Sequence, residues 1–183
     1  MNLLFKISYL LFTVFLLVYI SLPSPNFPEP PEGAVQSKEP ADTETTLRRA
    51  YFLDASRDEV IAHYKSQFSP LPFLRLNYPP EEAQSIIRDQ TRSSYLEELV
   101  HPLRESVFIN GFVPEVRKDA IVIEGREYYQ KITVRYVPAP LAIRIAYILL
   151  TAVLGYLVII WSTRLWAAYL GWFKKSLWKL KRR

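Results

Sequence analysis

The sequence predicts an α+β fold: a small extracytoplasmic domain, helices on a largely antiparallel sheet, set between two transmembrane helices. Three observations carry this expectation. Two long apolar runs lie near the ends of the chain, and all 18 acidic residues fall between them, from Glu29 to Glu127. Between the runs, helical and alternating apolar patterns follow one another over about 95 positions, enough for one small core.

The first apolar run, within residues 1–22, extends from Leu3 to Leu22 and carries one charge, Lys6. Its 20 residues reach about 30 Å as a helix, one bilayer core, and Lys6 can snorkel to the headgroups. A cleaved signal peptide is the competing reading. Against it, no small-x-small site lies near residues 19–25, where Pro23 and Pro25 stand, so an uncleaved anchor is expected. The second span is read at residues 141–163. Ile145 to Thr163 is uncharged, and Arg144 and Arg164 bracket it, 20 residues apart. Tyr147, Trp161 and Trp166 suit the interfacial zones. Thr151 and Gly155 form a small-x-x-x-small pair for close helix–helix packing, either with the first helix or with a partner helix.

Residues 164–183 form a basic aromatic tail. Leu165, Tyr169, Trp172, Phe173, Leu177 and Leu180 recur at helical spacing, and Lys174, Lys175, Lys179 and Lys181 add a basic face. With Trp178, these residues suit an amphipathic helix in a headgroup layer. The membrane-interface set is therefore Lys6, Arg144, Trp161, Arg164, Trp166, Trp172, Lys174, Lys175, Trp178 and Lys179. The tail has seven Lys/Arg and no acid, so basic residues mark both ends as cytoplasmic and residues 23–140 as extracytoplasmic in a plasma (inner) membrane. The net charge of +5 is thus an orientation signal. The middle holds 14 of the 23 basic residues with all the acids and is mildly acidic, so no nucleic-acid partner is expected.

Residues 23–42 contain six prolines between Pro23 and Pro40, which predicts an extended spacer. The other junction, Pro138-Ala139-Pro140, is short. The domain is placed at residues 43–137. Arg49–Asp54 reads as a strand. Ser56 and Glu59 form a capping box that opens a helix to about Phe68, with Val60, Ile61, Tyr64 and Phe68 on one face. Phe73–Tyr78 alternates as a second strand. Pro79 and Pro80, then Glu81 and Glu82, open another helix with Ala83, Ile86 and Ile87 inward. Leu96, Leu99, Leu103 and Val107 predict a further helix, kinked or divided at Pro102, with Asn110-Gly111 as its stop or a hairpin turn. Residues 119–137 read as a hairpin turning at Glu124-Gly125-Arg126, with Ile132, Val134 and Tyr136 facing one way and Lys131, Thr133 and Arg135 the other. The segment Phe52–Phe68, with Val60 and Tyr64, is similar to short strand-then-helix units of many membrane-tethered bacterial proteins; that likeness names no family.

Cysteine is absent, which excludes thiol catalysis, disulfides and thiolate metal sites. The two histidines stand near carboxylates, Glu59 with His63 and Glu97/Glu98 with His101, and read as surface helical pairs. Phosphate loops, dinucleotide fingerprints and nucleophile elbows are missing. The expectation is a non-enzymatic protein with no cofactor, no metal and no catalytic residues: a scaffold or assembly subunit of a cell-envelope complex, in contact with the lipid bilayer and a protein partner. The alternative is a membrane-anchored sensor or binding module for an envelope glycan or peptide, with Tyr95, Tyr128 and Tyr129 as candidate ligand-facing residues. A hydrolase using paired carboxylates is the third.

Overall fold

The computed structural model describes residues 3–24, 26–67, 74–78, 82–83 and 93–180. The chain divides into two units, Pro23–Ala139 and a second made of the segments Met1–Leu22 and Pro140–Arg183.

The first unit is α+β. Its strands are β1 (Val35–Gln36), β2 (Arg48–Leu53), β3 (Leu74–Tyr78), β4 (Tyr95–Val100), β5 (Ser106–Phe112), β6 (Ile121–Ile123), β7 (Arg126–Tyr128) and β8 (Gln130–Val137). Six form one antiparallel sheet in the order β1-β2-β8-β5-β4-β3, and β6 and β7 pair separately.

In the second unit, α1 spans Leu3–Ser21, and the last helix, α3, spans Leu141–Leu180. The domain helix α2 is Arg57–Gln67. It starts where the capping box sets it: the Ser56 backbone N–H donates to Glu59 Oε2 at 2.7 Å, and the Glu59 N–H donates to Ser56 Oγ at 3.4 Å. Val60, Ile61 and Tyr64 then pack on one sheet face with Tyr51, Leu53, Tyr95, Leu99, Val107, Ile109, Ile132, Val134 and Tyr136. The alternation expected in the last strand holds, with Ile132, Val134 and Tyr136 all buried.

Four expectations need correction. Leu96, Leu99, Leu103 and Val107 lie in a β4–β5 hairpin, not a helix. The buried sheet face holds Tyr95, Glu97 and Leu99, but Leu96 on the opposite face is also only 1% exposed. A strand covered on both faces loses its alternation and imitates a helical period. Pro102 kinks no helix; it sits in the reversing loop beside Leu103, whose φ of 64° carries the chain round. Asn110-Gly111 is neither a helix stop nor a turn but lies within β5, near its end, where Gly111 leaves room for the Tyr95 ring.

The hairpin does turn at Glu124-Gly125, both at positive φ (52° and 82°), which suits the right-handed twist of a two-residue turn. Its arms are only three residues each, and β8 leaves them to run between β2 and β5. The proline-rich segment is also more than an extended spacer. Phe27 packs edge-on to Tyr136 (6.4 Å) beneath the Arg49 guanidinium (4.3 Å), β1 pairs with β2, and Asp42 is buried. Proline kept this stretch extended, as expected, but Phe27, Ala34 and Val35 supply anchors that hold it on the domain. Of the helix expected after Pro79, Glu82 and Ala83 are helical. Phe68, Pro70, Pro72, Phe73, Pro79–Glu81, Ile86 and Ile87 lie outside the described residues.

In the second unit, both helices are long and apolar enough to cross a membrane, over Leu3–Ser21 and Leu141–Phe173. Only 6% and 11% of their most apolar windows are buried, unlike the core helix of a soluble protein. They run antiparallel. Tyr9 donates its hydroxyl to the Ala152 carbonyl (2.6 Å), and Arg144 Nη1 donates to the Ile20 carbonyl (2.9 Å). The second bond puts a cation on the last turn of α1, where the helix dipole is negative. The helix α3 is continuous past Arg164 to Leu180, a rod of about 60 Å.

Candidate functional site

The three candidate tyrosines do not share a cleft. Tyr95 is 4% exposed; its ring lies over Gly111, and its hydroxyl donates to Gln130 Oε1 at 2.8 Å. Burial pushes that phenol well above its ordinary range, so it serves the core. Tyr128 is buried against Phe52 (6.1 Å between rings), with the Arg126 guanidinium 4.9 Å from its centroid. Tyr129 alone is exposed, and its backbone N–H donates to Asp54 Oδ1 at 3.1 Å. Tyr95 lies on β4, Tyr128 ends β7, and Tyr129 stands between β7 and β8.

Several clusters of charged groups lie among the described residues. In the β4–β5 loop, His101 Nδ1 lies 2.7 Å from Glu105 Oε1, and Arg104 Nη2 donates to the same oxygen at 3.1 Å. Arg104 Nη2 also reaches the Pro23 carbonyl at 2.8 Å, and Ser24 Oγ donates to Glu105 Oε2 at 3.1 Å. His101 and Glu105 are nearly inaccessible, at 2% and 1%. Their i, i+4 spacing was visible, yet the pairing expected for His101 was with Glu97 or Glu98. In a strand those two glutamates point to opposite faces. Glu97 is buried and bound by the Arg57 guanidinium, with Nε at 3.0 Å. His63 likewise meets the Glu29 carbonyl (2.9 Å) and Gln67, not Glu59.

On the sheet face away from α2, Lys131 Nζ bridges Asp42 Oδ2 (2.7 Å) and Glu39 Oε2 (3.0 Å). Burial alone would raise the Asp42 carboxyl, but hydrogen bonds from Lys131 and Ser37 and the charges of Lys131 and Arg48 hold it below its ordinary value. Burial would lower Lys131, and its bonds to Asp42 and Glu39 raise it instead. A depressed acid contributes stability that is present above its unfolded pKa and lost as pH falls towards the folded one. The domain should therefore lose stability below about pH 4, and Asp42→Asn should flatten that loss. Denaturant midpoints at pH 3 and pH 7 check this; an unchanged acid-side drop in the variant contradicts it.

A carboxylate pair for hydrolysis needs one member kept protonated. Asp42 is held ionised. Among the described residues, the Glu98 carboxyl is pushed up by burial, with Ser106 opposing; its register partners are Leu76 and Phe108. Among the described residues, no group of three His, Asp or Glu is placed to hold a metal ion. A cleft of about 350 Å³ lies between Val35–Glu39, Phe52 and the Ile123-Glu124 turn; none of the tyrosines lines it.

Of the membrane-interface set, Lys6, Trp161, Arg164, Trp166 and Trp172 are exposed, and Arg144 is buried. Lys174, Lys175, Trp178 and Lys179 lie on α3, with side chains outside the described set. Gly155 faces the Tyr9 hydroxyl, which an added Cβ would meet at 3.0 Å, whereas Thr151 is exposed. No family model, no curated protein and no solved structure matches this chain.

Proposed function

We propose that this is a two-span membrane protein whose outer domain and inner helical extension work as a non-catalytic scaffold or assembly subunit of a cell-envelope complex, with both ends cytoplasmic in a bacterial inner membrane. One observation carries the reading. The last helix, α3, runs unbroken for 40 residues, Leu141–Leu180. At about 1.5 Å per residue this helix is twice as long as a bilayer core. A helix that outlasts the membrane leaves an extension beyond it on which a protein partner can dock, as a scaffold needs.

The distribution of basic residues supports the orientation. Arg144 breaks the pattern at the outer end of the span, and it is bonded to the Ile20 carbonyl, so little of its charge faces a surface. The test is copurification after cross-linking and mild detergent extraction. The scaffold reading expects a defined protein partner that is lost when residues 165–183 are deleted. A clean monomer at native abundance contradicts it. The sensor reading rests instead on the cleft beside Phe52 and expects an envelope glycan or peptide to protect that region from hydrogen exchange.

A further inference from the structure

Within the helical unit, α1 and α3 enclose a lateral groove of about 440 Å³. Leu10, Leu149, Val153 and Leu157 line it, Tyr9 holds one edge, and Lys6 stands at one end. Tyr9 acts as a spacer. Its ring packs 5.7 Å from that of Tyr156 and its hydroxyl is spent on the Ala152 carbonyl. The Thr13 hydroxyl is spent on the Tyr9 carbonyl at 2.9 Å. The groove wall is therefore apolar, and among the described residues lining it Lys6 carries the only charge.

We propose that this groove binds one acyl chain of an anionic phospholipid, with the headgroup's negative charge on the Lys6 ammonium. The inference rests on the two-span reading above. From Leu149 to Leu157 the groove runs about 12 Å along the helix, close to the roughly 15 Å of hydrocarbon in one leaflet. An extended acyl chain of that length is slim enough to lie in a groove of about 440 Å³. The charge favours an anionic head. Neither α1 nor α3 contains an acidic residue, and Lys6 sits in the first turns of α1, where the helix dipole is also positive.

The test uses the full chain in bilayers of mixed phosphatidylglycerol and phosphatidylcholine, washed in neutral detergent and examined by native mass spectrometry. One phosphatidylglycerol should remain per chain. Lys6→Gln should retain it about fivefold less, the weight of one basic residue at an anionic surface, and Lys6→Arg should restore it. Val153→Phe, which fills the groove, should lose the lipid with Lys6 intact. Lys174→Gln with Lys175→Gln should leave retention unchanged. Equal retention of phosphatidylcholine, retention unaffected by Lys6→Gln, or loss on changing the tail lysines overturns the proposal. A chain released from membranes by alkaline carbonate defeats the two-span reading itself, whereas an integral chain that keeps no phosphatidylglycerol defeats only the groove.

Discussion

Gly111→Ala should be the most damaging single methyl group that can be added to this protein. Gly111 stands opposite Tyr95 in the β4–β5 register, and a Cβ there would fall 2.0 Å from Tyr95 Cε1 and 2.1 Å from Cζ. The ring has nowhere to go. It is 4% exposed, and its hydroxyl is tied to Gln130, itself fully buried and bonded through Nε2 to the Ala55 carbonyl. Overpacking of this kind costs about 3 kcal/mol or more when the neighbour cannot move. Urea denaturation of the isolated variant, or its yield if it fails to fold, reads the effect. Tyr95→Ala should be destabilising alone but should make Gly111→Ala nearly silent when the two are combined, because the clash is a pairwise term. Equal damage from Gly111→Ala with or without the tyrosine would show that the ring is not the cause.

Glu105→Ala should cost a comparable amount for an electrostatic reason. It strips the shared carboxylate from His101, Arg104 and Ser24, and the Arg104 side chain is 2% exposed. Removing one member of a buried ionic cluster costs about 3–5 kcal/mol. Replacing the set together, His101→Leu with Arg104→Met and Glu105→Leu, should recover much of that loss, since a buried ion pair often does no better than apolar residues of similar size. The triple variant should still loosen the segment at Pro23, whose carbonyl Arg104 holds. Hydrogen exchange over residues 23–34 separates the two effects. A triple variant as unstable as Glu105→Ala contradicts the charge explanation.

What could be read from the sequence was local. The capping box at Ser56 and Glu59, the alternation through Ile132, Val134 and Tyr136, and the turn at Glu124-Gly125 are set by contacts within a few residues. The structure has all three. The two apolar helices follow from composition alone. The β4–β5 hairpin was misread because Leu96 and Leu99 are buried on opposite faces of one strand, so no alternation marked it. The proline-rich segment was misread because its anchors, Phe27 and Ala34, are single residues whose partners lie on distant strands.

The charged clusters were hidden for a related reason. Asp42 and Lys131, or Arg57 and Glu97, are 89 and 40 positions apart, brought together by strand order. Of the candidate tyrosines, strand pairing consumed Tyr95 and ring packing consumed Tyr128. Nothing in their spacing distinguishes an aromatic in a core from one in a cleft.

The two-sided arrangement of the chain is tested most directly by single-cysteine labelling, which the absence of native cysteine makes clean. Glu44 is a good outer reporter, with its side chain 71% exposed; Ser37 is not, at 2%. With an impermeant maleimide on intact cells, Glu44→Cys should label at once, and Ser176→Cys only after the membrane is permeabilised. Labelling of Ser176→Cys on intact cells, or protection of Glu44→Cys, would contradict the arrangement of an outer domain between two spans with both ends inside.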